Sequence, residues 1–152
     1  MNLNQELVDK WIVRLAESHP EQSGKLCAPD PDPFRNPVGY AMRKSLAQLW
    51  AQLQGDMDAD EIEAALDTVL RIRALQDISP SEAVGFVVQL RPVLRQMPTT
   101  LDLVLLESRI DQLTLAAFDK YVQCREQIVA VRQHETERLT RTYRATAEKA
   151  RT

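Results

Sequence analysis

Apolar residues recur at helical spacing through the last third of the chain. From Leu101 to Val131 they repeat every three or four residues, as on one face of an α-helix: Leu106, Ile110, Leu113, Ala117, Tyr121, Cys124, Ile128 and Val131. Further apolar residues widen this stripe, namely Leu103, Leu105, Leu115, Phe118 and Val122. The pattern predicts one long helix over residues 99–150 whose first half is buried.

The second half of this helix has a different pattern. Beyond Val131 only Leu139 and Tyr143 continue the stripe, among several arginines and glutamates. A helix of about fifty residues spans roughly 75 Å, about twice the diameter of a compact domain of this size. The sequence therefore predicts two parts, a helical domain over residues 1–131 and a projecting polar helical tail over residues 132–152.

Four shorter amphipathic helices are predicted before the long one. The first begins at the cap residue Asn4, and the second runs from the cap residue Asn36 to Gly55, with Pro37 at its first position. The third follows an acidic segment and ends near residue 77, and the fourth begins at the capping sequence of Ser79. The expected core residues of the first three are Leu7, Val8, Trp11, Ile12, Leu15, Met42, Leu46, Leu49, Trp50, Leu53, Ile62, Leu66 and Val69.

Prolines mark the breaks between these elements. A Pro-rich stretch over residues 20–36 cannot sustain a helix and is expected to form a long surface connection. Pro92 lacks the N–H that would bond to the Val88 carbonyl, so it should kink or end the fourth helix. Thr99 and Thr100, after Pro98, are expected to cap the long helix. The order of elements predicts an all-α bundle of about five helices with a long C-terminal helix.

Charge and cysteine content narrow the function classes. The 152-residue chain has a formal net charge of −3, which argues against general nucleic-acid binding, since a basic patch is expected there. Residues 132–152 carry a net charge of +3 and leave −6 for the rest, and cations near a helix C-terminus complement its dipole. Cys27 and Cys124 form no CxxC pair, so a reduced, cytoplasmic protein is expected. Without an apolar h-region or a stretch of about 18 apolar residues, neither export nor membrane insertion is expected.

The segment DMDADEIE resembles a calcium-binding loop without meeting its requirements. Asp56, Asp58 and Asp60 have the one-three-five spacing of an EF-hand, but position six is Glu61 instead of Gly and position twelve is Asp67 instead of Glu. Acidic residues at a helix start cap it and complement its dipole. We therefore interpret the segment as a helix cap and expect no metal.

Catalytic and haem-binding signals are missing from the sequence. His19 lies beside a proline in the connection, and His134 lies on the polar half of the long helix. Neither is placed in an apolar pocket, and no Ser/His/Asp set, HExxH motif or Gly-rich phosphate loop occurs. The sequence predicts a protein that is not an enzyme and has no cofactor.

Two polar residues fall on the inner face of the third helix. Its stripe continues from Val69 to Arg73 and Gln76, and burying either side chain unpaired costs several kcal/mol. In one interpretation they form a buried polar network. Arg73 then either extends to solvent at the helix end or pairs with an acid such as Asp77, Glu82 or Glu107, and Gln76 bonds backbone carbonyls at the turn into Ser79. In the other they line a small pocket in which an anionic ligand biases the packing of the last helix.

The segment RIRALQDISPSEAVGF, from Arg71 to Phe86, resembles the N-terminal domain family of the RsbT co-antagonist proteins of the RsbRD type, regulators of bacterial stress signalling. The resemblance extends to NPVGYAMRKSL upstream and to ESRIDQL and LAAFDKYVQCRE downstream, roughly residues 7–132. It implies a haem-free, globin-like sensor domain that dimerises and passes its state to an output domain through its last helix. Since the sequence stops at Thr152 without the family's usual STAS output domain, we expect a stand-alone module rather than direct antagonism of an RsbT-like kinase.

The pattern and the resemblance together predict a dimeric, non-enzymatic signalling or interaction module. The alternative is a structural subunit or assembly factor of a larger complex. We expect a homodimer joined largely along the last helix, with Leu106, Ile110, Leu113 and Tyr121 near a two-fold axis. The competing interpretation is that this stripe is used wholly inside the monomer. The sequence does not identify another protein partner.

Overall fold

The computed structural model describes residues 2–18, 32–76, 78–98, 100 and 102–151. All regular structure in these ranges is helical: α1 (Leu3–Glu17), α2 (Pro37–Gln54), α3 (Ala59–Ala74), α4 (Pro80–Val88), α5 (Leu90–Gln96) and α6 (Leu103–Arg151). The all-α class with a long C-terminal helix is confirmed. Most of the expected Pro-rich connection, with His19 and Cys27, lies outside the described residues, as does Asp77.

Helix caps fix most of these boundaries. The Asn36 side chain accepts a hydrogen bond from the N–H of Gly39 at 3.0 Å, and the Ser79 hydroxyl accepts one from the N–H of Glu82 at 3.3 Å. Asp58 caps α3 by accepting from two backbone N–H groups, which confirms the capping interpretation of the acidic segment. These side chains satisfy N–H groups that have no partner within their own helix.

Two expected caps are wrong by a few residues. The side chain that caps α1 is Asn2, which accepts from the N–H of Asn4 at 3.1 Å. The side chain of Asp102 accepts from the N–H of Leu105 at 3.2 Å at the start of α6, whereas Thr100 precedes the helix and Thr99 lies outside the described residues. In both cases a neighbouring residue offers the same short side-chain acceptor, so composition alone does not decide between them.

Pro92 divides the expected fourth helix into two. α4 ends at Val88, and α5 begins at Leu90 after a turn at Gln89. Pro92 then lies in the first turn of α5, where a helix residue has no intrahelical acceptor for its N–H. The predicted interruption near Val88 is confirmed.

The core is built on α3, which packs against both α2 and α6, while α1 packs against α2 and α4 packs against α6. Trp11 joins α1 to α4: its indole N–H donates to the carbonyl of Phe86 at 2.6 Å, and the two rings stack with centroids 6.1 Å apart. The predicted core residues of α1, α2 and α3 are buried, as are six residues of α6: Leu106, Ile110, Leu113, Ala117, Tyr121 and Cys124.

Replacing Trp11 with Phe is expected to lower the free energy of unfolding by about 1 to 3 kcal/mol, because it removes a buried hydrogen bond. Urea denaturation measures the change. The matched control is Trp50→Phe, since the Trp50 indole donates to the exposed residue Asn4 at 3.0 Å. An equal loss in both variants would show that ring volume, and not the hydrogen bond of Trp11, decides the stability.

The buried face of α6 is narrower than the sequence predicted. Five apolar residues expected to widen it are exposed by 37% to 70%: Leu103, Leu105, Leu115, Phe118 and Val122. Val131, expected to close the buried stripe, is 58% exposed. The helix contacts the rest of the protein on one side only, so apolar residues on its other sides meet solvent.

Beyond Ile128 every described residue of α6 is exposed, up to Arg151. Several polar contacts in this stretch are local, such as the Arg141–Glu137 ion pair and the hydrogen bond from the Thr136 hydroxyl to the Arg132 carbonyl. The whole of α6 has 49 residues and spans about 73 Å. The proposed division at residues 131 and 132 stays a prediction. None of the described helices combines the length and apolar content needed to cross a membrane.

Deleting residues 133–152 is expected to leave the melting temperature of the remaining chain nearly unchanged, because the tail makes few contacts with the core. An isolated helix of this length is marginal in water, so we expect the tail to be helical when it is paired with another helix. Thermal unfolding followed by circular dichroism tests the first expectation. A large drop in melting temperature would show that the tail belongs to the core.

Candidate functional site

Arg73, in the last turn of α3, is a charged side chain inside the protein, with 1% of its surface exposed. Its Nη2 donates to the backbone carbonyl of Glu82 at 2.6 Å, and its Nε donates to that of Ala83 at 3.4 Å. Its Nη1 is buried and has no hydrogen-bond acceptor among the described residues. Arg73 therefore connects the end of α3 to the first turn of α4 and retains one donor nitrogen, Nη1, that has no acceptor among the described residues.

No hydrogen-bonded carboxylate of the described residues neutralises this charge. The Glu82 side chain is exposed, and Glu107 accepts instead from the Nε of Arg91 at 2.5 Å. Burial lowers the pKa of Arg73 to about 10, against the opposing effect of the Glu82 charge. Backbone carbonyls thus take the place of Glu82 and Glu107, two of the three acid partners suggested by the sequence, while the third, Asp77, lies outside the described residues.

Gln76 follows the end of α3 and is half-buried. Its backbone N–H donates to the carbonyl of Arg73 at 3.1 Å. The three candidate residues are therefore joined through the backbone of Gln76 and Glu82, and the Arg73 side chain is the group that crosses between helices.

Two arginines of α6 bind the ends of other helices. Arg125 Nη1 donates to the carbonyl of Ala74 at 3.0 Å, in the last turn of α3. Arg109 Nη1 donates to the carbonyls of Leu53 and Gly55, at 2.8 and 2.9 Å, at the end of α2. Carbonyls at a helix C-terminus have no intrahelical partner and carry the negative end of the helix dipole. Sequence reasoning missed both arginines, because their acceptors are backbone atoms distant in the chain and leave no spacing signal.

A cleft of about 540 Å³ lies beside Arg125. Ile78 and Pro80 form one wall, next to the start of α4, and Tyr121, Val122 and Val129 of α6 are among the residues of the other. The end of α3 and the start of α4, which we call the joint between these two helices, therefore lie beside α6.

An exposed row of apolar residues runs along α6. This row, which we call the apolar ridge, consists of Val104, Leu115, Phe118, Val122 and Val129, exposed by 82%, 70%, 50%, 37% and 44%. At about 100° per residue the five fall within a sector of about 60° and extend over about 37 Å. Asp111 interrupts the ridge, and its carboxylate is bonded to Arg91.

The four residues that the sequence predicted as a dimer seam are buried in the core and do not belong to the apolar ridge. Leu106, Ile110, Leu113 and Tyr121 are exposed by 4%, 0%, 1% and 6%, inside the core of a single protomer. This is the arrangement of the competing interpretation, in which the stripe is used within the monomer. A second chain packed along α6 would have to contact other residues, and the apolar ridge provides them.

Comparison with known proteins gives one finding. A family model described as the RsbT co-antagonist protein rsbRD N-terminal domain matches residues 5–136, a range that contains Arg73, both helix-capping arginines and the apolar ridge. No curated protein and no solved structure gives a significant match, so the globin-like arrangement stays a prediction. On the extent of the family match, the chain belongs to the RsbT co-antagonist protein rsbRD N-terminal domain family.

Proposed function

We propose that the chain is a dimeric, non-enzymatic signalling module of the bacterial cytoplasm that serves stress-response regulation. Membership of the family supports the signalling role. The apolar ridge of α6 is the single observation that carries the dimer, because soluble monomers rarely expose long apolar rows, and such rows mark sites of association.

The spacing along α6 supports a parallel pair of helices. Leu115, Val122, Val129, Thr136 and Tyr143 follow one another at intervals of seven residues. Phe118 and Leu139 lie three residues after the first and fourth of them, whereas Arg125 and Arg132 follow the second and third. The second apolar position of the heptad is thus interrupted at the end of the domain and resumes in the tail. A sustained seven-residue repeat is typical of helices that supercoil around each other. Pairing would also supply the contacts that the exposed tail lacks within one chain.

The joint between α3 and α4 is the candidate ligand site of this module. A small anion would supply the negative charge that Arg73 lacks and accept a hydrogen bond from Nη1. Because Arg125 of α6 binds the same end of α3, a shift of this joint on ligand binding would act on the long helix. The cleft beside Arg125 places the joint next to Val122 and Val129 of the apolar ridge.

Light scattering on the full chain at tens of micromolar tests the proposal, and we expect the mass of a dimer. A stable monomer at that concentration would overturn it.

The second candidate is a structural subunit of a larger complex. Thermal unfolding in the presence of small anions distinguishes it from a signalling module. The melting temperature of a sensor is expected to rise when a specific anion is added. The melting temperature of a structural subunit is expected to stay the same with every anion.

A further inference from the structure

A second groove lies between α3 and α6, with a volume of about 410 Å³. Its apolar lining comes mainly from Met57, Ile62, Leu66, Leu113 and Ala116. Ile62, Leu66 and Leu113 are buried and form the floor, while Met57 and Ala116 are half-buried at the sides. Methionine adapts its shape to different apolar surfaces and is common where a protein binds other helices. The groove is thus an open apolar surface flanked by two helices.

This groove is separate from the apolar ridge. The residues of α6 that line it extend from Gln112 to Gln123, and at about 100° per residue they lie on average about 130° around the helix from the ridge. A pair of helices joined along the ridge would therefore leave the groove open. Its α6 wall is about 16 Å long, enough for roughly three turns of a bound helix.

The segment that supplies the α3 side of the groove is strongly acidic. Residues 56–67 contain six acidic residues and no cation. Lys120, the cation at the groove, is committed to two of the acids: its ammonium lies 3.3 Å from Glu63 and 3.2 Å from Asp67, and only 15% of its side chain is exposed. Burial alone would raise the pKa of Asp67, but the hydrogen bonds and charges of Arg71 and Lys120 lower it. Asp119 lines the groove, is exposed and forms no ion pair with a described residue. Three exposed acids of the adjoining segment 56–67 do not line the groove and likewise form no ion pair with a described residue: Asp56, Asp60 and Glu61.

We propose that the groove between α3 and α6 binds a basic amphipathic helix of a partner protein. The apolar face of the helix would lie on Ile62, Leu66 and Leu113, and its lysines or arginines would lie near Asp119 and the adjoining acidic segment 56–67. This is the helix-in-groove mode of recognition, in which anchors at helical spacing fill an apolar groove, and opposite charges favour association with this class of partner over acidic ones. The proposal does not depend on dimer formation, because the groove belongs to one protomer.

The test uses a fluorescein-labelled, helix-forming peptide of 14 residues, with leucines on one face and lysines on the other, and a second peptide with glutamates in place of the lysines. Fluorescence anisotropy with the full chain is expected to show binding of the lysine peptide that weakens with added salt, and no binding of the glutamate peptide. Equal binding of both peptides would overturn the proposal, since the acidic residues at and beside the groove would then not select the partner.

Two substitutions to arginine distinguish binding of the peptide in the groove from attraction of the peptide to the net charge of the protein. Ala116→Arg puts bulk and positive charge into the groove, and we expect it to weaken binding of the lysine peptide by at least about tenfold. Ala64→Arg is the matched control, since Ala64 is exposed on α3 in the same acidic segment but does not line the groove. Equal weakening by both variants would show attraction by net charge alone and would contradict the proposal.

Asp119→Lys gives a second test if Ala116→Arg lowers stability, because Asp119 is exposed and forms part of the lining. It too is expected to weaken binding of the lysine peptide by about tenfold or more.

The remaining occupant to exclude is the basic tail of a second copy of this chain. If deleting residues 133–152 makes binding of the lysine peptide at least about tenfold tighter, the groove is occupied by that tail, and a foreign partner is ruled out.

Discussion

Replacing Arg73 with Met is expected to raise the free energy of unfolding by about 1 to 4 kcal/mol, the range by which replacing buried ion pairs with apolar residues of similar volume can stabilise a protein. Methionine has nearly the length of the arginine stem and no charge. The carbonyls of Glu82 and Ala83 that would lose the guanidinium belong to α4, where the helix's own N–H groups can satisfy them. The change therefore removes a buried cation without leaving a buried charge unpaired.

The size of this effect follows from the pKa of the guanidinium. Burial, opposed in part by the Glu82 charge, lowers the pKa of Arg73 to about 10, and a tenfold change in an acid dissociation constant corresponds to about 1.4 kcal/mol. Relative to the neutral form, the cationic form is then less stable in the folded protein than in water by about 3 kcal/mol. Because the folded-state pKa is the lower one, this destabilisation is complete below pH 10 and is relieved as the pH rises above that value.

Urea denaturation at pH 7 measures the effect, with Arg73→Lys as the control. Lysine keeps the positive charge but cannot reach two carbonyls with a planar fork, so we expect it to be less stable than the natural protein. If Arg73→Met instead loses about 3 kcal/mol or more, the two carbonyl bonds outweigh the cost of burying the charge, and Arg73 is a structural bracket. A gain in stability would indicate that Arg73 serves a purpose other than folding, as residues of binding sites often do.

The sequence predicted those parts of the fold that depend on local chemistry. Two helix starts were predicted from a short side-chain acceptor followed by proline, a residue without an N–H, because this pair suits the beginning of a helix. The pairs are Asn36 with Pro37 and Ser79 with Pro80. The helical stripe of α6 from Leu106 to Cys124 is likewise a local property, and its burial is confirmed. Such signals lie within a few residues of the positions that they determine.

Other features depend on which surfaces meet, and the sequence does not contain that information locally. Phe118 and Leu115 have the same apolar character as Leu113, yet they are exposed because α3 and α4 cover only one side of α6. Arg73 was correctly placed inside, but its acceptors turned out to be backbone carbonyls, which every residue type offers. The helix-capping roles of Arg109 and Arg125 were missed for the same reason.

Replacing Phe118 with Glu is expected to raise the dissociation constant of the dimer by at least about 100-fold, or about 2.7 kcal/mol, with little effect on folding. Phe118 is half exposed and lies between Leu115 and Val122 on the apolar ridge. In a symmetric pair the substitution would bring two carboxylates together at the seam and remove them from water, where neither has a partner. The protomer keeps its core, because the side chain faces outward.

Val131→Glu is the matched control for this experiment. Val131 is also exposed, by 58%, and lies on the same helix, but its direction differs from that of the ridge by about 170°. Light scattering at tens of micromolar is expected to show a monomer for Phe118→Glu and a dimer for Val131→Glu, with similar melting curves for the folded protomers. A dimer that survives Phe118→Glu, or one that both variants dissociate equally, would show that the two chains do not meet along the apolar ridge.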